Sequence, residues 1–300
     1  MKNIYEETKY ILKKYGITAN KSLGQNFLIN DEAVSAIVER AEITKEDLVI
    51  EIGPGLGTLT KELLEKAGKV IAIELDKRMI EILTDRFSLY NNFELINEDV
   101  LKVDLKGLIK QNLEQGIGSL TSNIQLPASN LKHAKIVANL PYYITTPIIM
   151  KLLEEKLPIE SITVMIQKEV ADRLVEIPGG KNTGAITYSV YYYAEAEEVL
   201  KVMPNSFIPE PAVESKVIKL NIRAKNAVNV ENEELMFKII KYAFMQRRKI
   251  LVNALEKSNI FSSKSEILEI LKKIGLNDKI RGEAVSLEDY ANIANFVTKM

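Results

Sequence analysis

The sequence predicts an α/β fold: an open, mostly parallel sheet with helices on both faces, followed by a small all-α domain. Three observations predict it. Asp47-Leu48-Val49-Ile50-Glu51-Ile52 is a short apolar run that enters the glycine turn Gly53-Pro54-Gly55-Leu56-Gly57, with helical spacing following through Leu63 and Leu64. Further short apolar runs at 70–73, 93–96, 135–138 and 162–166 alternate with helical patterns, as parallel strands joined by crossover helices do. Beyond residue 225 the pattern turns wholly helical, a shift that divides the chain into 1–224 and 225–300.

Taken in order, residues 4–15 set Ile4, Tyr5, Tyr10, Ile11, Leu12 and Tyr15 among lysines, an amphipathic helix. Residues 21–28 read as a loop with one phenylalanine to bury, and Asn30-Asp31 caps a helix over about 31–41. Val70-Ile71-Ala72-Ile73 ends at Glu74, and a helix over 77–87 leads to the strand Phe93–Ile96, which ends at Asp99. Residues 111–134 are rich in Gly, Ser, Asn and Gln, a surface excursion. Lys135-Ile136-Val137-Ala138 is a buried strand stopped by Asn139-Leu140-Pro141-Tyr142. A helix over 146–156, the strand 162–166 and a helix opening at Gln167 come next. Tyr188, Tyr191 and Tyr192 at helical spacing suit a core stripe better than a base-stacking surface. Alternate prolines between Pro204 and Ser215 hold the chain stiff, as a rigid loop presenting Phe207 or as a plain connector. Lys216–Leu220 closes the series as a strand.

Composition narrows the chemistry. There are no cysteines, so thiolate zinc sites, disulfides and cysteine nucleophiles are excluded. The one histidine, His133, reads as part of a polar loop and makes neither a metal cluster nor a triad. No run approaches the roughly 20 apolar residues of a membrane span, and Met1–Glu7 shows no signal-peptide pattern, so a cytoplasmic protein is expected. The net charge is −1, and residues 226–300 carry 12 Lys/Arg against 10 Asp/Glu. A nucleic-acid surface must therefore be a local patch. Arg247-Arg248-Lys249 is the candidate: such a run is usually a solvated face, yet three adjacent cations can hold phosphates.

Ligands of open α/β sheets bind beyond the carboxyl ends of the strands. Strand, glycine turn and helix at 47–64 let backbone approach a nucleotide closely, and Glu74, 21 residues after Gly53, is placed to accept from ribose hydroxyls. The turn reads G-x-G-x-G with a proline inside, which removes one N–H that would meet a phosphate. It suits a nucleoside without pyrophosphate, such as S-adenosylmethionine. Asp99 can take an adenine amino group, or serve as a helix cap. At the next strand end, the amide of Asn139, a carbonyl-rich turn and an aromatic suit an exocyclic amino group and its base, although the tetrapeptide also suits an ordinary turn.

These pieces together resemble the ribosomal RNA adenine N6,N6-dimethyltransferases, most closely their bacterial small-subunit branch. The resemblance covers nearly the whole chain. It rests on Gly24-Gln25-Asn26-Phe27-Leu28, Glu51-Ile52-Gly53-Pro54-Gly55-Leu56-Gly57, Glu74, Glu98-Asp99, Asn139-Leu140-Pro141-Tyr142 and Phe207-x-Pro209-x-Pro211-x-Val213-x-Ser215. It implies a Rossmann-like class I methyltransferase domain over 1–224 and a helical RNA- or ribosome-binding domain over 225–300. It also implies S-adenosylmethionine as cofactor, no metal, and dimethylation of two adjacent adenosines near the 3′ end of 16S rRNA, within the small subunit or its precursor. Asn26, Leu28, Gly53, Gly55, Glu74, Asp99 and Asn139 are the implied cofactor contacts. Two stretches depart from the family pattern: the excursion at 111–134, and Tyr143-Ile144-Thr145-Thr146 where Asn-Ile-Ser/Thr is expected.

The expected chemistry is positional. Adenine N6 is a poor nucleophile because its lone pair is delocalised into the ring. The Asn139 side-chain oxygen and the Leu140 carbonyl can accept both N6–H groups and aim the lone pair, with Pro141 shaping the turn. Tyr142, with Phe207 as a second face, would sandwich the extruded base. A monomer is expected, since no heptad seam is exposed. A large-subunit resistance methylase and a non-catalytic assembly factor are the competing readings; a nicotinamide dehydrogenase lacks its fingerprint here.

Overall fold

The computed structural model describes residues 3–20, 23–114, 131–180 and 182–299. Seven strands form the main sheet: β2 (Asp47–Ile52), β3 (Lys69–Glu74), β4 (Phe93–Asn97), β5 (His133–Asn139), β6 (Ser161–Gln167), β7 (Ala194–Val202) and β9 (Ser215–Ile222). Their spatial order is β4-β3-β2-β5-β6-β9-β7. The five strands from β4 to β6 pair in parallel, and β9 runs antiparallel to β6. A separate two-residue ladder joins β1 (Phe27–Leu28) to β8 (Phe207–Ile208).

The chain lays β3 and β4 on one side of β2, then returns to place β5 on the other. Strand order therefore reverses between β2 and β5, and a crevice opens beyond their carboxyl ends. Alternation sends Val49, Val70, Val137 and Met165 to one face, in a core shared with α2 (Asp31–Arg40), α3 (Thr58–Lys66) and α4 (Lys77–Phe87). Ile50, Ile71 and Ile136 point the other way, and α5 (Leu105–Glu114) packs beside β2 and β5. Asn30 caps α2 by accepting from the Ala33 N–H at 2.9 Å. α1 (Ile4–Lys14) is fastened to α3 and α4 by Glu7 with Lys61 and Arg86, and by Lys14 with Asp85. α6 (Thr145–Glu154) follows β5, and α7 (Lys168–Leu174) follows β6.

Compactness divides the chain into Met1–Ala171 with Glu197–Ile222, and Asp172–Ala196 with Arg223–Met300. The sequence reading placed a single cut at residue 225; the structural division also moves 172–196 into the second unit. That unit holds α8 (Ala185–Tyr193), α9 (Glu233–Met245), α10 (Leu251–Leu255), α11 (Lys264–Lys273) and α12 (Leu287–Thr298). Tyr188 and Tyr290 centre its core, edge-to-face at 5.2 Å, and the Tyr188 hydroxyl donates to the Val285 carbonyl at 2.6 Å. Tyr188 and Tyr192 are buried as a core stripe requires, while Tyr191 is partly exposed beneath Arg223.

Several expectations need correction. His133 opens β5 instead of lying in a loop, with Nδ1 2.5 Å from Glu160. The excursion at 111–134 is shorter than expected, because α5 runs to Glu114 and β5 starts at His133; residues 115–130 lie outside the described residues. Strand β4 ends at Asn97, two residues short of Asp99.

Candidate active site at the strand-order reversal

The crevice between β2 and β5 is a cleft of about 1080 Å³, counting its solvent-open mouth. Asn26, Leu28, Gly53, Gly55, Glu74, Asp99, Asn139, Leu140, Pro141 and Tyr142 all line it. Residues from five separate stretches are thus collected by one topological feature.

The glycine turn makes one wall. Gly53 and Gly55 have φ of +65° and +56°, so the chain turns where a side chain would be strained. Gly57, at +82°, is different: a Cβ there would lie 2.5 Å from Cε2 of Phe87, so it packs the start of α3 on α4 and stays out of the cleft. Glu74 closes β3 and is 7% exposed. Its carboxylate accepts from the Gly55 N–H at 3.2 Å and from the Asp76 N–H at 2.8 Å. Burial raises its pKa against those two backbone donors. Asp99 accepts from the Leu101 N–H at 3.0 Å through Oδ1, so it is a turn cap and a cleft residue together.

The N-terminal loop makes the opposite wall. Phe27 and Leu28 pair with Ile208 and Phe207, and the Ile29 N–H donates to the Ser206 carbonyl at 2.8 Å. Gln25 donates to Asp76 at 2.8 Å, beside Glu74. The loop was expected to be irregular; its β pairing is non-local and leaves no local periodicity to read.

Asn139 ends β5 beside Met165 of β6. Its side-chain N–H donates to the Asn26 carbonyl at 3.4 Å, leaving the amide oxygen as the end not engaged with the loop. The Leu140 N–H donates to the Met165 carbonyl at 3.1 Å. The Pro141 carbonyl accepts from the Ile144 N–H and from the Thr145 hydroxyl, which closes Tyr142–Ile144 into one 3-10 turn ahead of α6. Tyr142 is half-buried, with its hydroxyl 2.6 Å from the Ser215 hydroxyl. Burial holds its pKa above the usual phenol range, so the ring stays neutral.

Phe207 is not where the sequence reading put it. It is 1% exposed, packed in the core with Phe27 and Leu28, and offers no face to a base. An apolar ring beside a two-residue ladder is drawn inward by the hydrophobic effect, which the stiff prolines around it do not reveal. Ser215, from the same block, touches the site only through its hydroxyl, 2.6 Å from that of Tyr142. Arg247, Arg248 and Lys249 lie in the turn after α9 and are exposed; Arg247 donates to the Thr183 carbonyl at 3.1 Å and lies 3.6 Å from Glu283.

Glu51 was quoted only as part of the glycine motif. It lines the cleft, is 1% exposed, and accepts from the Thr60 hydroxyl at 2.6 Å. Burial pushes its pKa up to about 8, opposed by Thr60 and reinforced by the charge of Glu74. An unfolded glutamate titrates near about 4.3, so between these values the native state binds more protons than the unfolded state. The stability contribution of a raised acid falls as pH rises through that window. Glu51→Gln should flatten this slope and leave the variant more stable than the parent above pH 8, by at most about 5 kcal/mol. Thermal unfolding from pH 5 to 9 checks this; equal slopes in both proteins would assign the effect elsewhere.

The model of the family described as ribosomal RNA adenine dimethylase matches residues 16–299. A protein of Alkaliphilus oremlandii named ribosomal RNA small subunit methyltransferase A is 45% identical over 294 residues, covering 98% of this chain and 97% of that one. The protein of the same name from Bacillus pumilus is 46% identical, over 97% and 96%. Among solved structures, a dimethyladenosine transferase from Plasmodium falciparum superposes with a TM-score of 0.72 at 26% identity, over 91% of this chain and 98% of that one. The 23S rRNA methyltransferase ErmE, 24% identical with a TM-score of 0.65 over 91% and 100%, shares the fold.

Proposed function

The chain belongs to the ribosomal RNA adenine dimethylase family, and from that premise we propose that it dimethylates N6 of adenosines in the RNA of the small ribosomal subunit. The finer reading is two adjacent adenosines near the 3′ end of 16S rRNA, with S-adenosylmethionine as methyl donor. One observation carries the site assignment: the Asn139 amide, its donor end tied to Asn26, sits in the same cleft as the glycine turn and Glu74.

The cleft fits that cofactor. A side-chain-free turn at Gly53 and Gly55 admits a nucleoside against the backbone, and the buried Glu74 carboxylate provides paired acceptors for a ribose diol. Asp99 keeps Oδ2 for an adenine amine while Oδ1 holds its turn. Asn26 and Leu28 cover the site from the paired loop. When bound, S-adenosylmethionine supplies an electrophilic methyl on a sulfonium.

The protein's part is orientation. The Asn139 oxygen and the Leu140 carbonyl accept the two N6–H groups of the unmodified base, and one of them accepts the single N6–H left before the second transfer. This localises the nitrogen lone pair, and the proton leaves N6 after each methyl arrives, so no strong base is needed before attack. Tyr142, fixed by Ser215, stacks on the extruded base, which offsets part of the cost of unstacking it. Arg247, Arg248 and Lys249 are proposed phosphate contacts.

Methyl transfer from radiolabelled S-adenosylmethionine to small subunits lacking the modification, with large subunits in parallel, tests the reading. Label recovered as N6,N6-dimethyladenosine in small-subunit RNA is expected; label confined to the large subunit would replace it. In the same assay, reversing the charges of Arg247, Arg248 and Lys249 should weaken RNA binding and reduce the steepness of its salt dependence. Unchanged affinity and slope would remove those three from the interface.

A further inference from the structure

The glycine turn leaves the cleft through Leu56 and Gly57, and two adjacent residues of α4 hold it there from behind. The Phe87 ring lies against Gly57, and edge-to-face contacts with Tyr90 and Phe93 at 5.9 and 5.4 Å fix that ring in turn. Leu56 precedes α3 and its cap Gly57, so its carbonyl stands outside the helical ladder; the Arg86 guanidinium donates to it. Leu56 itself is buried and lines the cleft, whereas Arg86 and Phe87 do not.

Arg86 also reaches α1. Its other terminal nitrogen donates to Glu7 Oε1, while Glu7 Oε2 accepts from Lys61 of α3 at 3.0 Å. The Arg86 side chain is 13% exposed; burial lowers its pKa, and the Glu7 carboxylate opposes that. A cation so enclosed is costly once its anion is removed, and it would be drawn toward water and away from the Leu56 carbonyl. The fastening of α1 is thus a fastening of the turn as well, although no residue of α1 lines the cleft. One residue earlier, Asp85 ties α4 to the end of α1 through Lys14 and Tyr15, at the exposed surface and with no bond to the turn.

Resting on the reading of this turn as the cofactor wall, we propose that Arg86, held by Glu7, is a positioning residue for S-adenosylmethionine. It fixes the peptide between Leu56 and Gly57, and with it the distance at which the turn meets the cofactor. A shift of about 1 Å, even one set off far from the reacting atoms, is enough to spoil such a fit. The N-terminal helix thereby contributes to cofactor affinity without touching the cofactor.

Three variants separate this from simple docking of α1. Arg86→Met removes both donors and keeps the bulk, and Glu7→Gln keeps the shape and removes the charge. Asp85→Asn loosens α1 through the neighbouring tie and leaves the turn alone. Each is measured for S-adenosylmethionine affinity by calorimetry, for melting temperature, and for kcat on unmethylated small subunits at saturating cofactor. Arg86→Met should weaken cofactor binding about 10-fold or more and Glu7→Gln about threefold or more, with kcat within about twofold of the parent. Asp85→Asn should keep cofactor affinity within about twofold of the parent, whatever its melting temperature. The double variant of Glu7→Gln with Arg86→Met should bind no more weakly than Arg86→Met, because Glu7 acts through Arg86.

Parent-like affinity in Arg86→Met, equal losses in Asp85→Asn and Glu7→Gln, or additive losses in the double variant would each overturn the proposal. If Arg86→Met does not fold, the comparison of Glu7→Gln with Asp85→Asn decides alone. Glu74→Ala is run alongside. If the parent does not bind S-adenosylmethionine, the reading of the cleft has failed; if Glu74→Ala loses binding while Arg86→Met and Glu7→Gln keep it, only the role of Arg86 has.

Discussion

Asn139→Ala is expected to lower methyl transfer to small subunits by at least about 10²-fold at saturating cofactor and RNA, the usual cost of a hydrogen bond made to developing charge. The lost group is an acceptor whose orientation is set twice, by the end of β5 and by the Asn26 carbonyl at 3.4 Å. Alanine keeps the strand and the Leu140–Met165 hydrogen bond, so the fold should survive and the effect should fall on kcat. Asn139→Asp sharpens the test: it retains an oxygen but cannot donate to Asn26, so it should recover little activity if orientation matters. Single-turnover kinetics on preformed enzyme–subunit complexes give the number. A rate within about threefold of the parent would remove Asn139 from the reaction.

Glu74→Ala should abolish measurable S-adenosylmethionine binding, weakening it by about 10²-fold or more, because each hydrogen bond to a charged group contributes about 1.5–3 kcal/mol. The substitution also strips two backbone donors, the N–H groups of Gly55 and Asp76, of their acceptor. Glu74→Gln keeps an acceptor and the shape but not the charge, and should lie between the two. Burial has raised the pKa of this carboxyl, so cofactor affinity in the parent should decline as pH falls, starting at a higher pH than for an exposed glutamate. Calorimetric titrations across pH measure both effects; parent-like affinity in Glu74→Ala would remove it from the ribose position.

Much of the site was legible because its parts are local. A strand followed by a glycine turn, an acidic residue at the next strand end and Asn-Leu-Pro-Tyr after a β-branched run each declare themselves within a few residues, and the strand-order reversal brings them together. What escaped depends on distant partners. Strand β7 reads Ala-Glu-Ala-Glu-Glu-Val-Leu-Lys-Val, and its partly exposed edge position imposes no apolar alternation. The pairing of β1 with β8 joins two residues to two others far along the chain. The inward turn of Phe207, the hydrogen bond between the Ser215 and Tyr142 hydroxyls and the raised pKa of Glu51 all follow from three-dimensional enclosure, which no spacing records.

The pairing of Leu28 with Phe207 has a kinetic consequence. It closes a chain loop of about 180 residues with a ladder two residues long, an entropic cost set against few hydrogen bonds and the burial of Phe27, Leu28 and Phe207. Contacts of that kind form late in folding and open first in the native ensemble. The wall bearing Asn26 and Leu28 should therefore be the last part of the cleft assembled, after the sheet has consolidated. Hydrogen exchange would register this as weaker protection at the Ile29 amide, bonded to Ser206, than at the amides of β2 and β5. The cleft would then be completed on a sheet that already carries Glu74 and Asn139 at its strand ends, and the N-terminal loop would act as a hinged panel with a stability of its own.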